Sequence, residues 1–173
     1  MNRVISVVLL GATFLLGGCH ALMTVNGASS DLTMLKDSSW EGRYVARIDR
    51  QEYRMTVHGD VAKHCYVVDA ETNGLFKATI SIWDTDKYWI SLTICDESRN
   101  RILKRAEGFE AYFFIPIYCN LVLERDRSGY VIWLVQRHEE ISNGGIVSDL
   151  PINEIMMKCK GLTMKKIGVL KRE

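Results

Sequence analysis

From Trp40 onward, apolar and polar residues alternate in short runs, and polar or glycine-containing clusters interrupt them about every 8–12 residues. No other feature narrows the fold as far, because a period of two places successive side chains on opposite faces of a strand. Trp40, Gly42, Tyr44, Ala46 and Ile48 share one face, and Tyr53, Met55 and Val57 repeat the pattern. Val61 to Ala70 forms a third, less regular run. Phe76, Ala78, Ile80 and Ile82 then face Tyr88, Ile90, Leu92 and Ile94 across Asp84-Thr85-Asp86-Lys87, which predicts a hairpin. His58-Gly59-Asp60, Asn73-Gly74 and Asp126-Arg127-Ser128-Gly129 read as further turns, with Gly59 the pivot of the first.

Apolar runs at Ala111 to Pro116, Cys119 to Arg125 and Tyr130 to Arg137 predict more strands, and Leu162 to Leu170 a last short one. Pro116 marks a strand end or an edge, since it has no N–H for a ladder. Asp96 to Gly108 is highly charged and belongs at the surface, and Asn143-Gly144-Gly145 is a flexible loop. The period changes once. Ile152, Ile155, Met156 and Cys159 stand at helical spacing between Pro151 and Gly161, which predicts one short amphipathic helix.

The expected class is mainly β: an antiparallel sandwich or small barrel of about eight strands with one short C-terminal helix. The opening Trp40-Glu41-Gly42-Arg43-Tyr44 is similar to the first strand of lipocalins, a family of ligand-holding barrels that carries Gly-x-Trp there. Here the order is Trp-Glu-Gly, so the resemblance is one of architecture.

Upstream, Arg3 precedes an apolar span from Val4 to Leu16 that ends in Gly17-Gly18-Cys19. The layout is that of a secretory signal, and its span falls short of the roughly 20 apolar residues that cross a bilayer. Leu16-Gly17-Gly18-Cys19 resembles the lipobox of bacterial lipoproteins. The resemblance implies removal of residues 1–18, a thioether-linked diacylglycerol on Cys19, and acylation of the new amino terminus. His20 is not the aspartate that goes with inner-membrane retention, so it points to the outer membrane, with the domain in the periplasm or at the surface. Residues 19–39, small and polar around Asn26-Gly27-Ala28-Ser29-Ser30, then read as a lipidated flexible tether, and 40–173 as a single β-rich domain.

Setting Cys19 aside turns five cysteines into an even four: Cys65, Cys95, Cys119 and Cys159. In an oxidising compartment these are disulfide candidates, with three possible connectivities. Charge is balanced, with 22 Lys+Arg against 21 Asp+Glu, and loss of Arg3 equalises them. Such a chain has no net field to gather nucleic acid.

No catalytic constellation stands out, and no cofactor is expected. There is no Gly-x-Ser-x-Gly elbow, no His-Glu-x-x-His and no phosphate-binding glycine loop. His138-Glu139-Glu140 reads as a charged strand end. His64 and Cys65 would point to opposite faces of a strand, and Asp84-Thr85-Asp86-Lys87 lacks the glycine and distal glutamate of a calcium loop, so no metal site is expected.

The aromatics are more informative. Trp40, Tyr44, Tyr53, Tyr88, Phe113 and Tyr130 are candidates to line a cavity or fill a core, while Trp83, Trp89 and Trp133 fall on the less apolar faces. Exposed there, they would form a contact surface. Lys165, Lys166, Lys171 and Arg172 read as a basic tail. The leading expectation is a non-enzymatic lipoprotein, held to the membrane by lipid on Cys19, that binds an envelope protein. The alternatives are a carrier of small apolar ligands and an inhibitor of a cell-wall hydrolase.

Overall fold

A computed structural model of the chain describes residues 21–29, 32–36, 38–71, 74–95, 118–136, 147–148, 151–158 and 164–173. Several sequence expectations lie outside these residues: the signal segment with Cys19, Asn73, the charged stretch 96–108, the run from Ala111 to Pro116, His138-Glu139-Glu140, Asn143-Gly144-Gly145, Cys159 and Gly161.

The elements are β1 (Met23–Thr24), α1 (Leu32–Lys36), β2 (Gly42–Ile48), β3 (Gln51–Asp60), β4 (Cys65–Ala70), β5 (Gly74–Asp84), β6 (Lys87–Ile94), β7 (Tyr118–Asp126), β8 (Gly129–Val135), β9 (Val147–Ser148), α2 (Ile152–Lys158) and β10 (Met164–Arg172). Strands β2 to β8 pair antiparallel in chain order, and β10 pairs with both β8 and β2. The ring is therefore closed. Eight strands form an antiparallel barrel rather than a sandwich, and closure leaves the barrel wall no free edge.

Turns follow the local chemistry. Asp49 and Arg50 both adopt positive φ, 48° and 69°, in a two-residue turn whose twist suits a hairpin. Thr85-Asp86 closes the β5–β6 hairpin, and Arg127-Ser128 the β7–β8 hairpin. The expected turn at Gly59 is displaced. Gly59 pairs with Tyr66 inside the ladder, and the chain reverses at a 3₁₀ turn, Val61–Lys63, ended by His64 with φ 51°. Gly59 packs against Glu41: its N–H donates to Oε1 at 2.9 Å, and a Cβ there would sit 2.8 Å from that oxygen, so the glutamate side chain would have to shift. Asp60 accepts from Lys63 N at 3.1 Å, and its bonds to Lys63 hold the carboxyl below its ordinary range.

The wall separates two apolar layers. Inside lie Tyr44, Ala46, Val57, Ala78, Ile80, Ile90, Leu121, Leu123 and Ile132. Outside, over β5 to β8, lie Trp89, Val122, Val135, Leu22, Ala28 and Ile155 of α2. Elsewhere the outer surface is charged, with exposed Arg43, Arg47, Glu52 and Arg54 and a 3.2 Å Arg47–Glu52 pair. An apolar interior and a charged exterior invert the arrangement of membrane-spanning barrels.

The segment expected to be a tether belongs to the fold from Ala21. Leu22 N donates to Val135 O at 2.8 Å, and Met23 and Thr24 pair with Cys119 and Tyr118 where β8 diverges from β7. The chain then runs along the outer wall, with Ala28 N donating to Ser91 Oγ and Ser81 Oγ donating to Ser29 O. Gly27 passes so close to Tyr118 that a Cβ would lie 2.6 Å from its ring. Asn120 ties this strap down. Its Nδ2 donates to Leu22 O and Thr24 Oγ1, while its Oδ1 accepts from Trp89 Nε1 and Ser91 Oγ. Small polar residues suggested solvent here. Leu22 O and the Thr24 hydroxyl are instead satisfied by buried Asn120, and Ala28 N and Ser29 O by Ser91 and Ser81, which sequence polarity does not reveal.

Candidate functional site

One end of the barrel is stopped by aromatic side chains. Trp40, just before β2, stacks on Tyr130 at 5.0 Å and meets Tyr88 edge-on at 4.9 Å. Tyr88 and Tyr130 are 6.1 Å apart, and Tyr66, fully buried, joins the same core. Tyr44 donates its hydroxyl to Trp40 O at 3.1 Å. Met34 and Leu35 of α1 pack into this core, and Leu35 reaches β3 beside Gly59. Burial pushes the Tyr44 and Tyr130 phenols above their ordinary value, so both stay neutral. Arg172, expected in a solvated tail, sits in β10 and donates to Glu41 O at 2.7 Å.

Above this floor the interior holds a cavity of about 460 Å³. An eight-stranded barrel is just wide enough to fill itself with side chains or to admit one small ligand. Here three alanines tip the balance. Ala46 on β2, Ala70 on β4 and Ala78 on β5 all face inward, and the space they leave is bounded by Val57, Val68, Ile80, Leu92, Leu121 and Ile132. At the end opposite the aromatic floor the lining turns polar, with Asp49, Gln51, Gln136 and Lys165. Asp49, Gln51 and Lys165 are exposed there, so the cavity reaches the surface through a polar rim. Tyr53 Oη donates to Gln51 Oε1 at this rim. Lys165 pairs with inward-facing Leu134, and the β10 irregularity between Lys166 and Gly168 shifts the register just beyond it.

Of the aromatics expected to line a cavity, Trp40, Tyr44 and Tyr53 do so, and Tyr88 and Tyr130 build the floor. Phe113 lies outside the described residues. The tryptophan surface is corrected. Trp83, Trp89 and Trp133 are on the outer face as the alternation required, but Trp89 is packed rather than presented, and Trp83 and Trp133 are half-buried against the same cluster. Trp89 is 0% exposed, Trp83 Nε1 donates to Met156 O at 3.3 Å, and Trp133 Nε1 donates to Glu124 Oε2 at 2.8 Å. The helix expected from Ile152, Ile155 and Met156 packs Ile155 into the cluster that buries Trp89 and bonds Trp83 through Met156 O, and strand periodicity alone could not foretell that cover.

The disulfide expectation is corrected for two of its four cysteines: Cys65 and Cys119 carry free thiols, so neither bonds to the other or to Cys95. Cys65 is on the outer face of β4, whereas Cys119 shares the inner face with its partner Leu92. Cys65 and Cys95 are separated by all of β5, about 10 Å across the sheet, beyond the reach of a disulfide. Cys159, the fourth candidate, lies outside the described residues.

Burial pushes the Cys119 thiol up to about 12 and raises that of Cys65, where Lys77 opposes the shift. At pH 8 a thiol at 12 is ionised about once in 10⁴ molecules, and the thiolate is the reactive form. Iodoacetamide at pH 8 is therefore expected to spare both cysteines in the folded chain and to modify both in denaturant. Peptide mass spectrometry gives the answer, and rapid native labelling of either one would refute the packing described.

Among the described residues, no group of three or more His, Cys, Asp or Glu side chains is placed to hold a metal. His58 and His64 are both exposed. No family model, curated protein or solved structure matches the chain.

Proposed function

We propose that the chain is a lipid-anchored envelope protein whose barrel carries a small apolar molecule. The observation behind the proposal is the cavity: about 460 Å³ of space behind an aromatic floor, walled by aliphatic side chains and rimmed by polar ones. That volume lies within the range of small-molecule sites, which are apolar with a few orienting polar groups. An apolar body would lie among Ile80, Ile90, Leu92 and Leu121, and a polar end would meet Gln51, Gln136 and Lys165. The anchor rests on the lipobox-like Leu16-Gly17-Gly18-Cys19. Docking through the tryptophans is the weaker reading, because Trp89 is buried beneath α2.

The test is native mass spectrometry of the chain purified from the cells that make it. It is expected to show an additional mass that extracts into organic solvent, and a fluorescent fatty acid should displace it. A chain that emerges empty and leaves the fluorescent fatty acid unbound would overturn the proposal.

A further inference from the structure

The cavity mouth and the point where the chain departs toward its anchor coincide. Ala21 is 3% exposed, bridges Gln136 beyond β8, and lines the cavity together with Gln136 and Lys165. From there residues 22–28 are held by the Val135, Asn120 and Ser91 bonds described above, leaving no slack on the domain side. Only His20 separates Ala21 from Cys19, so covalent reach alone keeps the two within about 7 Å. A lipid on Cys19 would pin the rim itself to the bilayer.

We infer that the barrel docks mouth-down on a lipid surface, its rim at headgroup level and its aromatic floor pointing away. This rests on the anchored-carrier reading above. The rim chemistry suits that depth: Asp49, Arg50, Gln51 and Lys165 are exposed and polar, and belong among headgroups rather than acyl chains. The hairpin tip at Arg127 is exposed at the opposite end of the barrel, beside the strand ends that flank Trp40 and Tyr130. An apolar molecule would then pass between membrane and cavity through the contact zone instead of through bulk water.

The experiment uses the full lipidated chain in phosphatidylethanolamine–phosphatidylglycerol vesicles containing a headgroup-spin-labelled lipid. A fluorescent amino acid replaces Arg50 in one variant and Arg127 in another. Quenching at 50 is expected to exceed that at 127 at least threefold. Inserting about 20 glycine and serine residues between His20 and Ala21, a coil of roughly 25 Å, should erase the difference. Equal or reversed quenching, a difference that survives the insertion, or a mature chain without lipid mass on Cys19 would each overturn the inference. Quenching requires no ligand, so its outcome separates from that of the carrier reading. An empty cavity with rim-specific quenching rejects carriage and keeps the orientation, while a filled cavity with uniform quenching does the opposite.

Discussion

Replacing Ala46 with tryptophan is expected to reduce affinity for an apolar probe at least tenfold while leaving the barrel folded. Ala46 faces the cavity from β2 between Tyr44 and Ile48, and its small side chain is one of three that leave the interior unfilled. An indole placed there would occupy the cavity that the proposed carrier function assigns to its ligand. Overpacking a filled core costs about 1–3 kcal/mol, but growth into an existing cavity avoids much of that strain and adds buried apolar area. Thermal unfolding should thus shift little, and titration with a fluorescent fatty acid should show the loss. Ala78→Trp, two strands beyond β3 on β5, should act in the same way, since both alanines face the same space. Undiminished affinity in both variants would place the ligand outside the barrel.

Asn120→Ala should cause the largest stability loss, about 3–4 kcal/mol in urea unfolding. Asn120 is fully buried and makes four side-chain hydrogen bonds: to Leu22 O at 3.3 Å, to Thr24 Oγ1 at 3.0 Å, and from Trp89 Nε1 at 3.1 Å and Ser91 Oγ at 2.8 Å. Truncation leaves Leu22 O only the 3.4 Å bond from the backbone N–H of residue 120. It strands the indole N–H of Trp89 and the hydroxyl proton of Ser91 in an apolar layer, at about 1–3 kcal/mol for each buried group left unpaired. That is a large share of the 5–15 kcal/mol that holds a typical domain together. Thr24→Ala removes one partner and should cost only about 1 kcal/mol. Amide exchange at Leu22 and Ala28 should accelerate far more in Asn120→Ala than in Thr24→Ala. A loss below 1 kcal/mol with the strap still protected would mean that Asn120 does not hold it.

Both variants bear on what the residue pattern could and could not convey. Inward faces were legible because alternation is geometric: Tyr44, Ala46 and Ile48 share a side in any strand. The floor was half legible, for Trp40, Tyr88 and Tyr130 were recognisable as inward aromatics, whereas their mutual stacking depends on strands distant in sequence. Ala78 looked like an ordinary inward residue, and only closure of the ring turns it and Ala46 into a void. Asn120 carried no signal at all. It falls at an outward position in an apolar strand, where solvent was the simple partner, and the groups it bonds lie 29 to 98 residues away. The cysteines misled for the same reason. Their even number suggested pairs, but the opposite faces of Cys65 and Cys119 are set by register.

The β2–β10 seam has a consequence for how the protein is made. Gly168 through Arg172 pair with Ile48 back to Tyr44, so the ring closes between nearly the first strand and the very last. A chain made from its amino terminus cannot complete that seam until β10 emerges. Until then both edges are open templates for stray strands, and the long loop to be closed makes the step slow. The strap waits as well, because Asn120 and Val135 emerge roughly a hundred residues after Leu22. Safe folding of this barrel depends on shielding a half-built wall, and the hazard ends when β10 docks.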